Sequence, residues 1–486
     1  MKASRKKKAG SARGRASSAP PGKELSVIIL AAGAGTRMRS TLPKVLHRVG
    51  GRALIESVLA AVQSVSAARI LVVLGASHRQ VEPALAGRAT AVHQAQARGT
   101  ADAVREALGH LPGGEGSVLV LSAAVPLIHA DTLRRLVDRQ QGERRDLAFL
   151  TFRPPDPTTL SRVLRDSGGG VRAIARAAAI RERRLAEASA GIYCFRRGAL
   201  ERAVAGLRVN RLSGELELAD TVEILARRRG AVEAIGIDWR EAWVIHTRRD
   251  LAAAEEILHR RGIERALDGG VTLIDPSTTR IGPDVTLEPD TVIHPFVMLE
   301  GRTTLSSGCE VFSFTRIADS QVASSAAIGP HCDIEGARIG ERARVGPFAR
   351  LRPGTVLAED VRVGNFVETK EAFLGRGVKA LHHSYLGDAE IGADANIGAG
   401  VITCNFDGRT KNRTIVGPGA FVGSDSQLIA PVTVGEGAYI GAGSTITEDV
   451  PPGALALTRA AQKNEPGWVE RRKKKNGRAV EKEGES

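Results

Sequence analysis

The 486-residue sequence predicts two domains of different class, a doubly wound α/β domain followed by an all-β solenoid. Three observations carry this. Short aliphatic runs alternate with helical segments from Leu25 to about residue 250, as a sheet covered on both faces requires. The first run ends in Gly33-Ala34-Gly35, a turn that lets backbone N–H groups approach phosphate. Beyond residue 270 the aliphatic period changes to six, and few architectures other than a hexapeptide β-helix sustain that period.

Residues 1–23 carry eight Lys/Arg and no acid, and residues 471–486 carry seven Lys/Arg against three Glu, so the two ends supply +12 of the formal net charge of +15. Charge confined to such ends predicts solvated, disordered basic tails at 1–24 and 459–486. No base-reading motif or aromatic platform accompanies it, so no specific nucleic-acid partner is expected. The apolar run at 27–32 is too short for a signal peptide or a membrane span. Four widely spaced cysteines (Cys194, Cys309, Cys332, Cys404) form neither a disulfide framework nor a metal-binding spacing, which predicts a reducing, cytoplasmic compartment.

The α/β domain is expected over 25–250, with strands at 25–32, 70–74, 118–121, 147–152 and 191–195. Ligands in such folds bind beyond the carboxyl ends of the strands. The stretch Leu30-Ala31-Ala32-Gly33-Ala34-Gly35-Thr36-Arg37-Met38, followed by Leu42-Pro43-Lys44-Val45-Leu46, resembles the signature of the sugar-phosphate nucleotidyltransferases, which have a Rossmann-like fold. It is most similar to the uridyltransferase half of the bifunctional family that makes UDP-N-acetylglucosamine. By that resemblance Gly33 and Gly35 cradle a nucleotide, Arg37 and Lys44 neutralise its triphosphate, and Gln94, Gly99 and Thr100 contact uracil.

The resemblance also implies two Mg²⁺ ligands, an aspartate and an asparagine, where this chain has Ala124 and His246. Ser161, Arg176 and Ser189 stand where the family has glycine, glutamate and asparagine, and Ala34 replaces a lysine. Mg²⁺ prefers oxygen ligands, and phosphoryl transfer depends on it. The expectation is a half that holds a uridine nucleotide without transferring uridyl, with Mg²⁺ a cofactor only if that half is active. A metal site rebuilt from Asp102, Asp238 or Glu241 is the counter-reading.

Residues 251–267 have helical apolar spacing and end before Asp268-Gly269-Gly270, which predicts a linker helix over 251–270. Aliphatics then recur every six positions at Ile281, Leu287, Ile293, Leu299, Leu305, Val311 and Ile317. After one shortened step they continue at Ile328, Ile334, Ile339, Val345, Leu351, Leu357 and Val363, and again at Ile391, Ile397, Ile415, Phe421, Val434, Ile440 and Ile446. One coil cannot bury its own apolar face, so the coils must stack. Two apparent breaks in the repeat carry polar residues that packing does not explain. Glu368, Lys370, Lys379, His382, His383 and Tyr385 lie in the first, and a loop ejected between Thr403 and Ile415 forms the second.

With the motifs at 346–354 (GPFARLRPG), 385–392 (YLGDAEIG) and 396–400 (NIGAG), residues 339–459 are similar to the acetyltransferase half of the same bifunctional family. This implies a left-handed parallel β-helix over 271–458, a homotrimer, and acetyl-CoA as co-substrate. By resemblance His382 is the general base, and Arg352 and Lys370 bind a sugar phosphate. Tyr385, Asn396 and Lys411 line the sugar pocket, while Asn405, Ser424, Ala442 and Arg459 contact acetyl-CoA. The family's tyrosine beside that asparagine is Phe406 here, its glycine before the histidine is Leu381, and His383 replaces an apolar residue. Attack of an amine on a thioester needs a base poised near neutrality, and histidine meets that need. The expected function is acetyl transfer to glucosamine 1-phosphate beside a silent nucleotidyltransferase-like domain. A fully bifunctional enzyme and a non-catalytic nucleotide-sensing scaffold are the alternatives.

Overall fold

A computed structural model describes residues 24–156, 160–177, 186–210, 214–227 and 231–474. The basic ends at 1–23 and 475–486 therefore lie outside the described residues. The chain divides into two compact units at Arg261/Gly262, and the helix Arg248–Asp268 runs through that boundary.

The sheet of the first unit has the order Val232–Ile237, Leu147–Phe152, Ala188–Arg196, Ser117–Ser122, Leu25–Ala31, Arg69–Leu74, Thr90–His93. Leu25–Ala31 pairs in parallel with both neighbours, and Ala188–Arg196 runs against Ser117–Ser122 and Leu147–Phe152. A strand buried on both faces reads as an unbroken apolar run, as at 118–121, whereas 191–195 mixes glycine, tyrosine, cysteine and phenylalanine with one isoleucine. Ile28, Val120 and Phe149 pack on one face; Ile29, Leu121 and Val72 pack on the other. The sequence did not announce Thr90–His93, Val232–Ile237 or the hairpin Arg162–Arg165/Val171–Ala175, whose residues are largely half-buried or exposed.

The second unit is a parallel β-helix. Each short strand pairs in parallel with a strand one coil on, so that Ile281, Leu299, Ile317, Ile334, Leu351 and Thr369 form one inward column. Buried hydroxyls sit at the corners and donate to backbone carbonyls, as Thr291 does to Glu288 O (2.8 Å) and Thr303 to Glu300 O (2.6 Å). This satisfies groups that would otherwise be costly to bury.

Two expectations about the repeat are corrected. Residues 363–386 do not interrupt the solenoid: the long strands Arg362–Leu374 and Lys379–Ile391 pair in register from Arg362↔Lys379 to Leu374↔Ile391. Thr369 and Ala380 take inward positions there, and the hydroxyls of Thr369 and Thr355 bond at 2.9 Å. A threonine and an alanine hid the aliphatic period. After the loop the inward series is Val416, Val422, Leu428 and Val434, whereas Ile415 is 39% exposed and Phe421 stacks outside on Tyr439. The loop re-enters one residue out of phase with the earlier count, and in a strand that slip swaps faces.

Along one corner, Phe296, Phe314, His331, Phe348 and Phe366 stack ring on ring with centroids 4.7 to 5.4 Å apart. All five adopt positive φ, the backbone of a tight corner. The four phenylalanines are about half exposed.

Candidate functional site

The long paired strands put the chemistry-bearing residues on neighbouring coils. Asn365 lies opposite His382 in the register, and its Oδ1 is 3.2 Å from His382 Nδ1. An amide oxygen only accepts, so Nδ1 carries the proton and Nε2 is left with its lone pair. Asn365 was not singled out from the sequence. Its signal was the 17-residue separation, which is one coil.

Arg352 and Lys370 stand on successive coils beyond Thr369, and the next residue in that column is Gly387. With no side chain at Gly387, Tyr385 folds across it. Lys411 comes in from the ejected loop to meet Lys370, and the two ammonium groups lie within hydrogen-bonding reach. Lys411 and then Arg352 hold the Lys370 pKa below its ordinary value, while Lys370 itself is the first cause of a raised pKa at Lys411, with Asp388 helping. Two ammonium groups this close resist both carrying a charge.

Glu368 accepts from Arg352 at 2.8 Å, and Asp388 accepts from the Asn405 side chain. The loop is held by Asp407, whose carboxylate accepts from Arg409 N, Thr410 N, the Thr410 hydroxyl and Asn412. Those bonds push its pKa far down, the Thr410 backbone contact first.

A second column rises from His382. The pairings Ala380↔Ile397, Ile397↔Val422 and Val422↔Ile440, carried two residues on, set His382, Ala399, Ser424 and Ala442 on successive coils. At about 4.8 Å per coil, the column spans about 14 Å. Arg459 closes its far end, donating to Ala442 O at 3.0 Å. The sequence-derived residues thus fall into a cation cluster (Arg352, Lys370, Lys411, with Tyr385 and Asn405) and a histidine column (His382, Ser424, Ala442, Arg459). Asn396 joins neither: it stands between Lys379 and Phe421 on another face of the prism.

In the first unit a cleft of about 240 Å³ is lined by Gly33, Lys44, Gln94, Gly99, Thr100, Ala124 and Glu215, among others. It opens beyond the ends of Leu25–Ala31 and Ser117–Ser122, where the fold places ligands. Gly35 has φ 63°, and a Cβ there would lie 2.7 Å from Lys44 Cβ, so the glycine permits that lysine to come close. Burial, then the charge of Arg37, lowers the Lys44 pKa. Gln94 donates to Asp102 Oδ2 at 2.9 Å, and Thr100 Oγ1 accepts from Leu218 N at 2.9 Å.

The residues here do not fit Mg²⁺. Ala124 is 1% exposed and offers no side-chain oxygen; its N–H donates to Ser122 Oγ and its carbonyl accepts from Ile245 N. His246 meets the Arg37 guanidinium at 3.1 Å, and burial followed by Lys44 and Arg37 lowers its pKa to about 4. Each carboxylate of the counter-reading has another partner: Asp102 holds Gln94 and Arg105, Asp238 holds Arg240, and Glu241 holds His129 N.

Comparison with known proteins matches residues 27–195 to the MobA-like NTP transferase domain, 272–383 to the GMPPB C-terminal domain, and 413–448 to the bacterial transferase hexapeptide (six repeats). Proteins named bifunctional protein GlmU are similar over nearly the whole chain. That of Trichlorobacter lovleyi is 42% identical over 93% of this chain and 99% of its own. That of Sorangium cellulosum is 40% identical over 92% and 97%, and that of an Anaeromyxobacter species 43% over 92% and 93%. Identity at this level, spread over both units and leaving almost none of the relatives unmatched, places the chain in the bifunctional GlmU family.

Proposed function

We propose that the second unit transfers acetyl from acetyl-CoA to the amine of glucosamine 1-phosphate. The observation that carries this reading is that Arg352 and Lys370 stand side by side on successive coils, with Lys411 of the ejected loop acting on Lys370. Two ammonium groups in contact repel one another, and a phosphate dianion between them relieves that cost. His382 Nε2 takes a proton from the amine as its nitrogen attacks the thioester carbonyl. The C–N bond forms, the C–S bond breaks, and the CoA sulfur leaves. The column of Ala399, Ser424 and Ala442 is narrow enough in side-chain bulk to take an extended thiol-bearing arm, with Arg459 at its end for a phosphate.

The position of Asn396 on a face away from the cation cluster supports a homotrimer in which a neighbouring copy brings it to the sugar. The exposed phenylalanine stack gives such an assembly apolar surface to bury. Among the described residues no helix is long and apolar enough to cross a membrane. The four cysteines are unpaired, which supports a cytoplasmic location.

A second reading keeps both halves active, and the name shared by the relatives favours it over a silent first unit. One purified sample tests both. Free thiol released from acetyl-CoA and glucosamine 1-phosphate, and lost by about 10² to 10⁴ in His382→Ala, supports the acetyltransferase. Absence of that release sinks it. Pyrophosphate released from UTP and N-acetylglucosamine 1-phosphate at an enzyme-like rate establishes the second reading.

A further inference from the structure

In the first unit a guanidinium, Arg37, is pinned on His246 beside Lys44, and no side-chain oxygen stands at Ala124. Asp250, a carboxylate that acts on His246, is occupied by His246 N, Thr247 N and the Thr247 hydroxyl at 2.8 to 2.9 Å. The His246 ring accepts the Arg37 bond without neutralising its charge. Lys44 lines the cleft with Gly33 of the glycine-rich turn, and Arg37 stands close enough to Lys44 to act on its charge. Glu215, on the Gly99–Thr100 side, is a carboxylate of the lining.

We infer that this cleft holds the phosphates of a uridine nucleotide directly on Arg37 and Lys44, without a divalent cation. The inference rests on the reading that the cleft takes a uridine nucleotide. Three features support it physically. A metal ion brought in with the nucleotide would add two further positive charges to a site that already carries two, with no oxygen ligand at position 124 to offset them. The guanidinium supplies a flat fork of donors matched to phosphate oxygens. The imidazole behind it accepts from the guanidinium without competing as an anion.

The sign of the metal effect is therefore reversed from that of a metal-dependent site. Mg²⁺ in solution pairs with the triphosphate and lowers the charge that Arg37 and Lys44 attract, so it weakens binding.

The test is calorimetric titration of the full chain with UTP in EDTA and in excess Mg²⁺. We expect saturable binding in EDTA, about tenfold weaker in Mg²⁺. Arg37→Ala removes most of the EDTA binding, and His246→Asn weakens it by about tenfold by freeing the guanidinium. His246→Asn is the variant to rely on, because Ala124→Asp buries a carboxylate and endangers folding. Binding seen only with Mg²⁺ overturns the inference while leaving the nucleotide reading intact. No binding in either buffer overturns both. EDTA binding that His246→Asn leaves unchanged shows that Arg37 is not positioned by His246 and also overturns it.

Discussion

Gly364 is the tightest point between two coils of the catalytic region, and Gly364→Ala tests whether the site depends on coil spacing. A Cβ at 364 would lie 1.8 Å from the carbonyl oxygen of Leu381 and 2.5 Å from its carbon, where real Cβ contacts do not come below 3.0 Å. The obstacle is backbone, so no side chain can swing aside. The two coils must part locally by about 1.2 Å to reach that limit. Gly364 precedes Asn365, and Leu381 precedes His382, so the displacement falls on the proposed base and the asparagine bonded to it together. Overpacking of this kind costs about 1–3 kcal/mol of stability, while a misplacement of about 1 Å at reacting groups costs about 10² in rate. Steady-state thiol release should show kcat reduced about a hundredfold, with circular dichroism still reporting the β-helix. A folded Gly364→Ala protein with kcat within about twofold of the parent would refute the claim that this spacing positions His382.

Asn365→Ala should lower kcat by about ten- to a hundredfold with little change in KM, because the bond it removes strengthens as the imidazole becomes charged; equal kcat would mean the asparagine orients nothing. Lys411→Met should raise KM for glucosamine 1-phosphate by about tenfold and flatten its dependence on ionic strength, which initial rates at two salt concentrations would reveal. For His246 the folded pKa of about 4 lies below the ordinary value of 6.5. Between those values the unfolded chain binds the extra proton, so the ring's contribution is full above pH 6.5 and is lost as pH falls toward 4. The half-buried ring is partly screened, which leaves about 1–2 kcal/mol. Urea unfolding of the first unit should be less steeply pH-dependent in His246→Asn, and an unchanged pH slope would count against the buried neutral ring.

The six-residue period made the solenoid legible because one aliphatic residue per face must point inward in every coil. Legibility failed where that need was met by other means. Thr369 fills its place by pairing with the Thr355 hydroxyl, and Ala380 fills its own with a methyl group, so a continuous stack of coils read as a break. Past the ejected loop the count landed on Ile415 and Phe421, one residue short of Val416 and Val422, since a loop carries no phase. The cation cluster was legible as residue types at Arg352, Lys370 and Lys411, but the contact between the two lysines depends on how the loop anchored by Asp407 folds back. Asn365 shows the limit most clearly: its partner lies one coil away, and only the coil length connects them.

The column from His382 through Ala399 and Ser424 to Ala442 and Arg459 makes the molecule a ruler. Its graduations are whole coils, each about 4.8 Å, and no intermediate setting exists because every coil is locked to the next by backbone hydrogen bonds. On the proposed reading of this column as the acetyl-CoA site, the carrier arm is gauged by counting. Inserting one coil between Gly400 and Phe421 would move the terminal arginine a full graduation away from the histidine while leaving each end's chemistry untouched. On that reading, selectivity for the length of the donor is written into the number of repeats.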